Sequence, residues 1–163
     1  MIKTNHLLPA FSLVELLVVV SISSIFLSFG FSAYRNTQER QLLHNAAKKV
    51  QTILRTVQKK AEVGDKDCQG VFRYYQVIIT PNTNQITTQA ICQNTQGPIQ
   101  TYSINNITFT NGCTLHFQPL QEGLVITNPQ TTSFNLTLQL DLNTQMTTTI
   151  TIAQPGTIKT SNN

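Results

Sequence analysis

Between Phe11 and Ala33 the chain runs FSLVELLVVVSISSIFLSFGFSA, 23 residues with a single charge, Glu15. As a helix rising about 1.5 Å per residue this stretch reaches roughly 34 Å, against a hydrocarbon core of about 30 Å. It is therefore expected to form a membrane-crossing helix. A carboxylate inside such a segment costs about 2.5–3.5 kcal/mol on insertion scales, so Glu15 calls for a cationic partner.

Ten residues precede the stretch, MIKTNHLLPA. They carry one lysine, Lys3, and a helix-resistant Pro9, and they end in the small Ala10, the make-up of a removable leader. A cut between Ala10 and Phe11 would create an α-amino group about 6 Å of helix rise from Glu15. The run AFSLVELLVVVSIS resembles the prepilin signature of type IV pilins and pseudopilins. The resemblance implies that a prepilin peptidase cuts after Ala10 and that the new amine of Phe11 is N-methylated. It also implies that Glu15, the fifth mature residue, directs subunit assembly. Two departures stand out: Ala10 occupies a position where the family prefers Gly, and Lys3 is far from the cut.

The same resemblance implies a place in the cell. The protein is expected in the bacterial cytoplasmic (inner) membrane, single-pass, in contact with lipid before assembly and with its head outside the cytoplasm. It then joins a cell-surface or periplasmic filament. Charge asymmetry points the other way, with Lys3 before the apolar stretch and Arg35, Arg40, Lys48 and Lys49 after it. The family's leader, which specifies topology, is taken to override that signal. The plainer alternative is an uncleaved signal anchor with a stray Glu.

The length of 163 residues suits one further domain. Only 11% of residues are charged, and the polar character comes from Thr, Gln and Asn, which fits an antiparallel sheet with one wet face. From Val63 onward Lys66, Arg73 and Lys159 face Asp65, Asp67, Glu122 and Asp141, a net charge of −1. The basic excess lies in the preceding helix, so charge gives the head no nucleic-acid footprint. Cys68, Cys92 and Cys113 are spaced by about twenty residues without a CxxC pair, which argues against zinc.

From Leu42 to Ala61 the apolar residues Leu42, Leu43, Ala46, Ala47, Val50, Ile53, Leu54, Val57 and Ala61 fall within a sector of about 140°, opposite His44, Lys48, Arg55 and Lys59. Gly64 is a stop residue. One continuous helix from Phe11 to Glu62, about 78 Å long, is expected. Gly30 and the serines at 21, 23, 24, 28 and 32 weaken it locally.

After Gly64 the period becomes two. Strands are expected at 71–80, 85–92, 102–109, 113–117 and 124–127. A last hairpin runs from Phe134 through Leu142, turns at Asn143 to Gln145, and returns over Met146 to Ala153. Pro155-Gly156 is read as the end of the sheet, with the tail SNN frayed. Cys68 enters the first strand and Cys92 leaves the second, so a hairpin turning near Asn82 would bring them together. The pairing expected is Cys68–Cys92, with Cys92–Cys113 as the alternative.

The fold class expected is thus α+β. A long N-terminal helix, membrane-spanning in its first half (11–33) and amphipathic in its second (34–63), packs on an antiparallel one- or two-sheet head (64–163). The phrases CTLHFQPLQEG and ITIAQPGTI are similar to the GspH/FimT-type pseudopilins, which pack two antiparallel sheets against the long helix.

No catalytic constellation, phosphate loop or HExxH appears, so no enzymatic activity and no cofactor is expected. His44 and His116 lack neighbours at ligand spacing. Two strings, Asn106-Ile-Thr and Asn135-Leu-Thr, match glycosylation acceptors by coincidence in a Thr/Asn-rich chain. The function expected is that of a structural subunit of a type IV pilus-like or type II secretion pseudopilus filament, with a prepilin peptidase and other pilin subunits as partners. A signal-anchored surface binding domain is the alternative, as is a DNA-uptake minor pilin, although nucleic acid suits the near-neutral head poorly.

Overall fold

A computed structural model describes residues 12–119, 123–154 and 156–162; the side chains of 28–33 and of Asn162 are not described. Helix α1 spans Leu13–Val63. Nine strands follow: β1 (Phe72–Ile79), β2 (Gln85–Cys92), β3 (Gln100–Ser103), β4 (Ile107–Phe109), β5 (Cys113–Phe117), β6 (Leu124–Asn128), β7 (Ser133–Leu140), β8 (Thr147–Ala153) and β9 (Thr157–Asn162). The chain divides into two compact units, Met1–Gln38 and Glu39–Asn163.

The membrane-spanning first half of the expected fold is not found. Side chains are described for two helical stretches, 13–27 and 34–63. Among the described residues no helix is long and apolar enough to cross a membrane. The physical reason is composition. The described residues 13–27 include Glu15, Ser21, Ser23 and Ser24, which break the apolar run. The second stretch is amphipathic. This finding corrects the transmembrane helix and, with it, the single-pass inner-membrane location. The architecture is also richer in sheet than a long-helix pilin, with nine strands after the helix among the described residues.

In the larger unit Leu43, Ala46, Ala47, Val50, Ile53, Leu54, Val57 and Ala61 are buried in one core with both sheets. Leu42 falls outside it, 39% exposed. His44, Lys48, Arg55 and Lys59 are exposed. The helix ends where Gly64 adopts a φ of 71° and Asp65 N–H donates to the Lys60 carbonyl at 3.0 Å. Only glycine takes up this left-handed backbone without strain.

The strands form two antiparallel sheets, β3-β2-β1-β5-β6 and β4-β7-β8-β9. Alternation sets their faces. In β7 and β8, Leu136, Leu138, Leu140, Ile150 and Ile152 are buried while the intervening Thr, Asn and Gln face outward. The segment expected as a strand over 102–109 is instead two, β3 and β4, in different sheets. Asn106, at a φ of 65°, turns the chain between them. The expected end of the sheet also moves. Pro155 lies outside the described residues, and beyond Gly156 the tail pairs along β8 as β9, from Ala153↔Thr157 to Thr148↔Asn162.

Candidate assembly surface

The helix begins at Ser12, whose carbonyl accepts from the N–H groups of Glu15 at 3.0 Å and Leu16 at 3.2 Å. Glu15 thus sits in the first turn, where a carboxylate complements the positive end of the helix dipole. Around it stand Leu13, Val14, Leu16, Leu17, Val18, Val19, Val20, Ile22, Ile25, Phe26 and Leu27, all exposed, from 50% at Ile22 to 76% at Leu13. They point in every direction about the helix axis. Even the polar interruptions are closed off: the Ser21 hydroxyl donates to the Leu17 carbonyl at 2.8 Å, and that of Ser24 to the Val20 carbonyl at 2.7 Å. An apolar surface of this kind loses free energy to water, about 25 cal/mol for each Å² left uncovered. A helix apolar on most sides is ordinarily a buried one, yet here the apolar side chains from Leu13 to Leu27 are exposed.

Of the residues singled out from the sequence, Glu15 lies within this surface. Ala10 and Phe11 lie outside the described residues. Cys68 and Cys92 are far along the chain, joined by a disulfide with Cα atoms 6.1 Å apart. It ties the entry to β1 to the end of β2 and belongs to the head's framework. Cys113 is free and buried in the core, where burial pushes its thiol up to about 12. It is a structural residue, since reactivity needs an accessible thiolate.

Sequence reasoning missed a ring pair on the outer face of the larger sheet. His116 on β5 stacks on Tyr74 of β1, centroids 4.1 Å apart and planes 16° from parallel. Its Nε2 is buried without a hydrogen-bond partner among the described residues, and burial lowers its pKa. Alternation placed both residues on that face, but the register β1↔β5 that joins them is a long-range fact. Among the described residues no three His, Cys, Asp or Glu side chains are grouped to hold a metal.

No family model, curated protein or solved structure matches the chain.

Proposed function

We propose that the chain is a non-enzymatic structural subunit of a type IV pilus-like or pseudopilus filament, assembling through its N-terminal helix. The observation that carries this reading is the exposed apolar surface from Leu13 to Leu27 with one carboxylate, Glu15, set at its start. Copies of the same helix, packed side by side, cover such a surface. The prepilin-like run from Ala10 supports the same reading. Cleavage by a prepilin peptidase frees a Phe11 amine, and that cation pairs with Glu15 of a neighbouring subunit. Within a dry helix bundle an unpaired charge is strongly destabilising, by about 3–5 kcal/mol, so the pair sets the register between subunits.

Mass spectrometry of the N-terminus tests the processing step. The expected product begins at N-methylated Phe11. An intact Met1 on protein purified from its native cell would favour an anchored binding domain instead. Cross-linking from Leu16→Cys tests the assembly step: ladders of subunits are expected, and a purely monomeric band would overturn it.

A further inference from the structure

The larger sheet ends at β6, whose far edge faces no strand among the described residues. Its backbone has a defined direction. The Gln118 N–H donates to the Gly123 carbonyl at 3.0 Å, and the register continues Phe117↔Leu124, His116↔Val125 and Leu115↔Ile126. Hydrogen-bonded and non-bonded pairs alternate in an antiparallel ladder. Gly123 and Val125 therefore bond to β5, while the N–H and C=O groups of Leu124 and Ile126 point to the open edge. No described residue bonds to them there. Beside this edge lies an open groove of about 470 Å³, lined by Val125, Ile126 and Thr127 of β6, by Gln130, Thr131 and Thr132, and by Gln154.

Edge strands are normally guarded by charge, proline or a covering element. The strand LVITN has no charged residue and no proline, and the chain carries no charge from Gly123 through Leu140. Leu124 and Ile126 are buried on the inner face, while Val125 and Thr127 are half-buried on the outer one. The sequence is also self-complementary. Set antiparallel about Val125, two copies place Leu124 opposite Ile126 twice, and these are the residues whose backbone groups are free. About four hydrogen bonds follow, with Val125 opposite Val125 as a close non-bonded pair. An uncharged edge meets its own copy without like-charge repulsion.

We propose that β6 is a self-pairing edge: the heads of two copies join through antiparallel β6–β6 contact about Val125, continuing the five-stranded sheet across a two-fold axis. This contact is separate from the helix surface of the proposed function and stands without it.

The test uses the full chain with Val125→Cys, and with Thr149→Cys on the outer face of the other sheet as a control. Mild oxidation of Val125→Cys is expected to join the introduced thiols of two copies in a covalent dimer, at several times the yield of the control. Equal yields, or no Val125→Cys dimer, would overturn the proposal. A second measurement uses charge. Val125→Lys and Val125→Asp should each abolish head pairing in light scattering, and an equimolar mixture should restore it as a Lys–Asp pair. Failure of the mixture to restore pairing, with both variants folded by circular dichroism, would also overturn it.

Discussion

The Gln51 side-chain amide donates to the Ile158 carbonyl at 3.0 Å, joining the amphipathic helix to the last strand across 107 residues. The bond is part-buried, and Ile158 beside it is 5% exposed. Ile158, in the tail beyond Gly156, is therefore part of the core. Removing residues 157–163 should strip a strand from β8, expose Ile150 and Ile152, and lower the melting temperature sharply. Gln51→Ala, which removes only the one bond, should cost about 1 kcal/mol. Thermal unfolding of both variants checks this, and a truncation as stable as the full chain would refute it.

Gly112 precedes β5 at a point where a Cβ would lie 2.5 Å from Pro81 Cδ and 2.9 Å from Pro81 N. The obstacle is largely backbone, which cannot swing aside as a flexible side chain can. Next to it Asn111 acts as a stand-in for strand pairing: its Nδ2 donates to the Asn135 carbonyl at 2.7 Å, and its Oδ1 accepts from the Thr137 N–H at 2.9 Å. Gly112→Ala should destabilise the head by about 1–3 kcal/mol, as overpacking does. Gly70→Ala meets open space but a φ of 100°, so its cost comes from backbone strain alone. Denaturant midpoints for the pair separate the two effects.

The helix face gives a sharper contrast. Val50 is fully buried and Arg55 is exposed. Val50→Asp should unfold the head, since an unpaired buried charge costs several kcal/mol. Arg55→Gln should leave stability within about 0.5 kcal/mol. Equal melting temperatures for these variants would show that the buried face has been misplaced.

Local periodicity made most of the strands legible. Alternation in FNLTLQL is a property of neighbours, and Leu136, Leu138 and Leu140 are indeed buried. Leu142 continues the same alternation but is 81% exposed, because β7 ends at Leu140 and the chain turns. What stayed hidden depends on distant partners or on backbone conformation. Asn106 splits one apparent strand by a single left-handed residue. In β9 Ile158 is the sole apolar residue, so nothing in TIKTSN marks a strand beyond Pro155-Gly156 until β8 is seen to pair with it. The run from Phe11 was misread differently: hydrophobicity suggested a bilayer, whereas among the described residues no helix is long and apolar enough to cross one, and residues 13–27 carry Glu15 and serines. Of the assembly surface, the apolar run and Glu15 were visible at once, but the Tyr74–His116 stack and the open β6 edge depend on sheet order.

His116 offers a pH test. Its buried Nε2 and lowered pKa mean that the folded state binds a proton less readily than the unfolded chain. Stability should be full above the ordinary histidine value of about 6.5 and fall as pH drops through the lower, folded value. His116→Phe keeps a ring against Tyr74 and removes the titration. Its stability curve should be flatter than that of the wild type between pH 7 and 5. Parallel curves would assign the acid sensitivity to other groups.

Glu15 is the residue on which the proposed assembly turns, subunits joining by pairing this carboxylate with a neighbour's Phe11 amine. The measurement is the assembled fraction, by shearing or cross-linking, of Glu15→Val against wild type, with total protein and leader cleavage measured alongside. The account expects unchanged protein level, cleavage at or slightly below the wild-type rate, and loss of incorporation into filaments. Glu15→Asp should be intermediate, its charge one methylene short of the partner. Assembly of Glu15→Val at the wild-type level would contradict the pairing.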